Sequence, residues 1–476
     1  MMIPTDWLPV LMFGTLLVFM LSGFPVAFAL AANGLLFGYV AIEQGMMNPA
    51  LLQALPDRIF GIMSNDTLLA IPFFTFMGLM LERSGMAEEL LETVGQLFGR
   101  VRGGLAFAVI LVGALLAATT GVVAASVISM ALISLPVMLK YGYSPRVATG
   151  TIAAAGTLAQ IIPPSLVLIV LADQLGVSVG AMYTGALVPG LLLVGLFMAY
   201  IALIAMFNKQ ALPALPANTH FSAHTHQGPS IWSALLFVLL PPLVLIFLVL
   251  GSIYLGLATP TEGGAMGAVG ATALTAAKRR LNGTLLKQAL DSTTKLSCFV
   301  MFVLIGSTVF GLSFRAIEGD LWLEHLMGNL PGGKVGFLLA VNVLVFVLGC
   351  FLDFFEIVFI VLPLLVPIAA KLDIDLVWFG VMVAMNLQTS FLTPPFGFSL
   401  FYLKSVAPKS IRSIEIYQGI IPFIGLQLLM VGLIYAFPNL VGEKAVRSVD
   451  DAPLKVDVPE TNYWDGQPQF VPKFSE

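Results

Sequence analysis

Apolar runs long enough to cross a bilayer recur along this chain, separated by short polar or Gly/Pro-rich stretches. Trp7–Ile42 carries no charge and is long enough for two passes. Ala186–Phe207, Ile231–Ala258 and Tyr417–Pro438 are further runs. At about 20 residues per span there are roughly eleven to fourteen. The pattern predicts an all-α polytopic membrane protein in which some runs are re-entrant hairpins rather than full crossings.

Two of these runs are broken by a proline pair. Leu158–Val170 reads LAQIIPPSLVLIV, and Thr389–Phe401 reads TSFLTPPFGFSLF. Proline removes a backbone donor and clashes one turn back. In hydrocarbon the freed groups cannot turn to water, so such a break persists where the backbone lines a cavity or holds something polar. Paired interrupted helices in two halves of a chain point to the binding site of a secondary transporter.

The pairing extends further. Pro163-Pro164 and Pro394-Pro395 are 231 residues apart, as are Pro136 and Pro367. Gly103-Gly104 and Gly332-Gly333 lie at nearly the same offset, and Gly23–Gly38 echoes Ala258–Ala273 around Pro25 and Pro260. A short amphipathic stretch, Leu51–Gly61, matches Leu285–Lys295. The chain is therefore expected to hold a first transmembrane repeat (1–207), a polar linker (208–230), a second repeat (231–440) and a polar tail (441–476).

Composition fits this reading. The chain is 58% hydrophobic and only 10% charged, too few charges to cover a soluble protein of 476 residues. The net charge of −4 adds little, but basic clusters favour cytoplasmic loops; Lys278-Arg279-Arg280, directly after an apolar run, places 278–292 inside the cell. Cys298 and Cys350 read as small buried hydrophobes. The N-terminus lacks a cleavable signal pattern. No GxxxxGK[ST] loop, HExxH motif or basic groove is present, so direct ATP drive, zincin chemistry and nucleic-acid binding are not expected. His220, His224 and His226 sit in the linker without the fixed geometry a structural metal needs.

Candidate chemistry clusters at the interruptions. LAATTGVVAAS (Leu116–Ser126) places Thr119, Thr120, Gly121 and Ser126 in a long apolar segment, where a break would expose oxygens suited to Na⁺. Gly156, Thr157, Gln160, Pro163, Pro164 and Ser165 surround the first proline pair. Asn386, Gln388, Thr389, Ser390, Thr393, Pro394 and Pro395 surround the second. These polar groups either hold an ion or satisfy carbonyls released by the prolines. Asp353 and Glu356 lie three apart in an apolar run, so on a helix they share a face. They could bind Na⁺, relay a proton or pair with Arg315. Glu262 is a lone carboxylate in a Gly-rich span. Gly306-Ser307-Thr308 reads as a hairpin tip, with its first-half counterpart near Ala70-Ile71-Pro72.

The ordered set Ile71–Gly85, Arg100–Ser126, Ala153–Val170, Ala258–Ala268 and Asn386–Phe401 resembles the large membrane subunit of TRAP transporters, the DctM-type permeases, over about residues 5–440. The resemblance implies two inverted repeats with re-entrant hairpins and broken helices, working as an elevator in the bacterial inner membrane. It implies no enzyme and no cofactor, with Na⁺ as coupling ion. It implies a small four-helix DctQ-type membrane subunit on a separate chain, a periplasmic DctP-type solute-binding protein, and a small organic anion as substrate. The family's sodium sites map to Thr119, Thr120, Gly121 and 156–164, and to Gly306–Thr308 and 386–395. ATTGVVAAS carries fewer hydroxyls than the family's usual break, and FLDFFEI adds Glu356. Alternatives are a symporter working without a binding protein, an intramembrane enzyme using Asp353, Glu356 or His325, and a membrane scaffold.

Overall fold

The computed structural model describes residues 7–98, 101–214, 235–328, 330–394 and 397–442, apart from the side chains of Leu21, Thr119, Thr120 and Leu235. Pro395, the linker histidines and the tail from residue 443 lie outside the described residues. The described residues are helical, without strands.

Among the described residues, ten helices of nine residues or more precede the linker, besides the short helix Ala50–Gln53. They are α1 (Leu8–Leu21), α2 (Val26–Glu43), α3 (Leu55–Met63), α4 (Ala70–Arg83) and α5 (Met86–Phe98), then α6 (Gly104–Thr120), α7 (Val123–Lys140), α8 (Pro145–Thr157), α9 (Leu166–Leu175) and α10 (Val179–Phe207). Ten follow it. They are α11 (Leu240–Tyr254), α12 (Pro260–Ala277), α13 (Gly283–Ala316), α14 (Gly319–Gly328) and α15 (Lys334–Gly349), then α16 (Phe354–Ile360), α17 (Leu362–Lys371), α18 (Leu376–Leu392), α19 (Phe398–Val406) and α20 (Ser413–Ala436).

Among the described residues, six helices are long and apolar enough to cross a membrane, or seven if the bent pair α16–α17 counts as one span. This is fewer than the apolar runs, because the interior is built of shorter pieces such as α6, α9, α15 and α18. Helix starts follow local chemistry. Ser178 and Asn282 accept backbone N–H groups at the starts of α10 and α13. Asp375 accepts from the Trp378 N–H at 2.6 Å to start α18.

The most extensive helix contacts join α2 to α13, α4 to α12, and α8 to α20. The last is a glycine seam: a Cβ on Gly150 would lie 2.2 Å from the Gly419 oxygen, and one on Gly419 would lie 2.0 Å from the Arg146 oxygen. On one side Lys278 and Arg280 pair with Glu89, and Arg280 also bonds the Ser84 carbonyl at 2.7 Å. These ties fix the α4–α5 turn against the end of α12. Burial pushes the pKa of Tyr143, in the α7–α8 turn, up to about 12, against the lowering effect of the hydrogen bond its hydroxyl accepts from the Leu105 N–H.

Several sequence expectations change. Gly306-Ser307-Thr308 is no hairpin tip but lies inside the continuous 34-residue α13. Gly306 leaves room for the Ala27 carbonyl of α2, 2.3 Å from where a Cβ would stand. Ser307 bonds the Phe359 carbonyl, and Thr308 bonds Leu304 O one turn back at 2.9 Å. The Ala70–Pro72 stretch opens α4 after a turn. Glu262 is not mid-span: it stands exposed in the first turn of α12, in a capping box with Thr259. Hydrogen bonds from the Thr259 backbone and side chain hold its carboxyl below the usual range. Cys350 is buried, but Cys298 is exposed.

Candidate functional site: paired helix breaks

Four interruptions meet in the interior. The first lies between α6 and α7, where Thr119 and Thr120 close α6 and Gly121 adopts φ +59°. The left-handed turn suits a glycine, which has no Cβ to clash. The second runs from a 3₁₀ turn at Leu158–Gln160 through Pro163 and Pro164 to Ser165. The third lies between α15 and α16, over Cys350–Asp353, and the fourth between α18 and α19, through Thr393 and Pro394.

Each half brings its own two interruptions together. A Cβ on Gly121 would lie 3.0 Å from the Leu166 nitrogen, at the start of α9. Gly349 faces Ser390, whose Oγ would be 2.1 Å from an added Cβ. The two halves then meet. Gln388 on α18 donates to Thr157 on α8 at 3.2 Å, and Ser399 on α19 donates to the Ala153 carbonyl at 3.0 Å. Residues 148–172 of α8, its break and α9 are buried throughout.

The polarity of a break is its chemistry. A helix ending there leaves carbonyls without intrahelical partners, and a helix starting there leaves N–H groups without them. Helices α7, α9 and α19 start with no side-chain cap. Their positive ends suit an anion, whereas the carbonyl ends of α6, α8 and α18 suit a hard cation. One interruption can therefore face both charges.

The side chains divide into two groups. Some satisfy backbone: Ser165 bonds Gln160 O at 3.0 Å, and Thr389, Ser390 and Thr393 each bond a carbonyl three or four residues back. Asn386 ties α18 to Asn342 O on α15 at 2.7 Å. Ser126 is buried on α7 beside the first break, and Gly156 packs with no space for a side chain against Val127. Others keep unpaired atoms: neither polar atom of Gln160, nor Oε1 of Gln388, has a partner among the described residues.

Asp353 and Glu356 do not share a helix face. Asp353 caps α16, its Oδ1 accepting from the Phe354 N–H at 2.7 Å, while Glu356 reaches back to the Asp353 N–H at 2.9 Å. Neither makes an ion pair among the described residues, so the Arg315 pairing is not formed. Sequence reasoning overlooked Gln427 on α20, which also donates to Thr157 at 3.2 Å. A lone amide in the apolar run 419–436 was the available signal.

Helices long enough to span a bilayer, enclosing shorter broken helices that aim backbone dipoles at one another, define a multi-pass membrane transport protein rather than an enzyme. Comparison with known proteins agrees. The family model for the tripartite ATP-independent periplasmic transporter, DctM component, matches residues 13–440. The C4-dicarboxylate TRAP transporter large permease protein DctM of Pseudomonas aeruginosa is 31% identical, covering 76% of this chain and 82% of that protein. The isethionate TRAP transporter permease protein DctMQ of Oleidesulfovibrio alaskensis is 29% identical over 89% of this chain and 64% of its own length. The crystal structure of the Alcanivorax borkumensis YdaH transporter superposes with a TM-score of 0.57 at 18% identity, over 83% of this chain and 91% of that one. The chain belongs to the DctM family: it is the large permease subunit of a tripartite transporter in the inner membrane.

Proposed function

We propose that this permease imports a small organic anion together with Na⁺, at the paired breaks, and that its two halves are inverted repeats moving as an elevator. The observation that carries the reading is the meeting of the four interruptions. Carbonyl ends receive Na⁺ and helix N-termini receive the anion. A cation and an anion about 4 Å apart attract by about 4 kcal/mol at an effective dielectric of about 20. That is ample to make each ion depend on the other for binding.

Reciprocal packing supports the repeat. Helices α7 and α16 begin 231 residues apart, as do α8 and α18. Contact of α2 with α13 has its counterpart in α12 with α4; α8 with α20 in α18 with α10; α9 with α16 and α17 in α19 with α7. Two-fold related copies must make such paired contacts. The repeats would be 1–207 and 231–440, joined by 208–230 and followed by the tail.

The relatives named for C4-dicarboxylates and isethionate support a small organic acid as cargo. A periplasmic binding protein would deliver it, and a small four-helix membrane subunit would complete the complex. A proton-coupled variant has one observation in its favour: Asp353 and Glu356 sit together without a cationic partner among the described residues. Proteoliposomes holding the complete complex test the choice with a panel of organic anions. Uptake should require an inward Na⁺ gradient. Uptake that follows a proton gradient and ignores Na⁺ would replace Na⁺ with H⁺ in this scheme.

A further inference from the structure

The Thr157 hydroxyl is fully committed. It donates to the Ala154 carbonyl at 2.8 Å and accepts from Nε2 of Gln388 and of Gln427, each at 3.2 Å. A hydroxyl offers one proton and two lone pairs. With the proton spent on Ala154, it can only accept, so both glutamines must turn their NH₂ groups toward it. Their amide orientations are thereby set, and both Oε1 atoms face away from Thr157.

Those two oxygens are buried and have no donor among the described residues. Gln160 adds a third amide with neither polar atom partnered. It follows Thr157 by three residues on the 3₁₀ turn, where positions i and i+3 superpose. Thr157, Gln388 and Gln427 are fully buried, and Gln160 is 1% exposed. Buried amide oxygens without a donor are uncommon and call for a guest. The Gln388 and Gln427 oxygens, left with acceptor capacity alone, suit a guest that carries positive charge, and the Gln160 oxygen can add to them.

Resting on the cation-binding reading above, we infer that Gln427 is a positioning residue of the site: it brings the unbroken helix α20 into a monovalent-cation pocket with Gln160 and Gln388. Helix α20 also receives the Trp378 indole N–H at Ile434 O, 3.1 Å, so α18 and α20 are tied at a second level. Cation binding at the breaks then stiffens α20 as well as α8 and α18.

Hydrogen–deuterium exchange of the full-length permease tests this without substrate or variant. Na⁺, compared with K⁺ at equal ionic strength, should slow exchange over 153–165 and 385–394, and also over 420–430. Slowing at the breaks without any at 420–430 would overturn the role of Gln427 and leave the cation-binding reading standing. No Na⁺-specific slowing anywhere, which includes equal slowing by K⁺, would overturn both. As a second measure, Na⁺-dependent thermal stabilisation gives a half-saturating concentration. Gln427→Leu should raise it about tenfold, and Gln427→Asn, which keeps an amide, should raise it less. An unchanged value in Gln427→Leu would overturn the inference.

Discussion

Gln388 hydrogen-bonds Thr157 at 3.2 Å, and the two residues are 231 apart, the offset that superposes the two proline pairs. Under the proposed repeat, a residue that touches its own counterpart lies on the axis relating the halves. This fully buried contact thus marks the point about which the proposed repeats are arranged.

Removing that acceptor should be costly. Thr157→Val leaves two buried NH₂ groups unpaired, at about 1–3 kcal/mol each. The melting temperature of the purified variant should fall by several degrees, while Thr157→Ser, which keeps the hydroxyl, should melt close to wild type. Equal melting of the valine variant and wild type would show that the glutamines find other acceptors.

The α8–α20 seam leaves no space for a side chain at Gly150 or Gly419. Gly419→Leu should force the helices apart at a cost of about 1–3 kcal/mol or more. Reduced membrane abundance and a lower melting temperature are expected. Gly425 on the same helix faces open space, so Gly425→Ala serves as the control and should be tolerated.

Glu89 joins Lys278 and Arg280 to the α4–α5 turn. Glu89→Lys places three cations together and should lower stability. Adding Lys278→Glu should recover part of the loss, read as a double-mutant cycle in melting temperature. No recovery would mean that these ties are too solvated to matter.

Gly121 needs its left-handed turn and stands against Leu166. Gly121→Ala should cost about 1–2 kcal/mol in backbone strain. It should also disturb the first pair of breaks, so uptake should fall more than protein abundance. Loss of both in equal proportion would indicate a structural role alone.

The breaks were legible because proline and glycine punctuate a helix locally. Pro163-Pro164 interrupts α8–α9, and Gly121 interrupts α6–α7, where the sequence suggested. Gly306-Ser307-Thr308 misled because the same residue types serve packing. Gly306 makes room for the Ala27 carbonyl, and Ser307 and Thr308 bond carbonyls across and along the helix. Asp353 and Glu356 were read as one helix face, yet D-x-x-E at a helix start is a capping-box pattern, as is T-x-x-E at Thr259–Glu262. Gln427 could be noticed in sequence as polar in an apolar run, but its partner Thr157, 270 residues away, is a product of the fold.

Everything proposed for this permease requires that the joined helix breaks hold Na⁺. Equilibrium binding of radioactive sodium to the purified permease, without partners or substrate, tests it most directly. Saturable binding is expected that excess unlabelled Na⁺ displaces and K⁺ does not, weakened in Gly121→Ala and Gln388→Leu. Absence of saturable binding in the folded wild-type protein, or binding untouched by both changes, would contradict it.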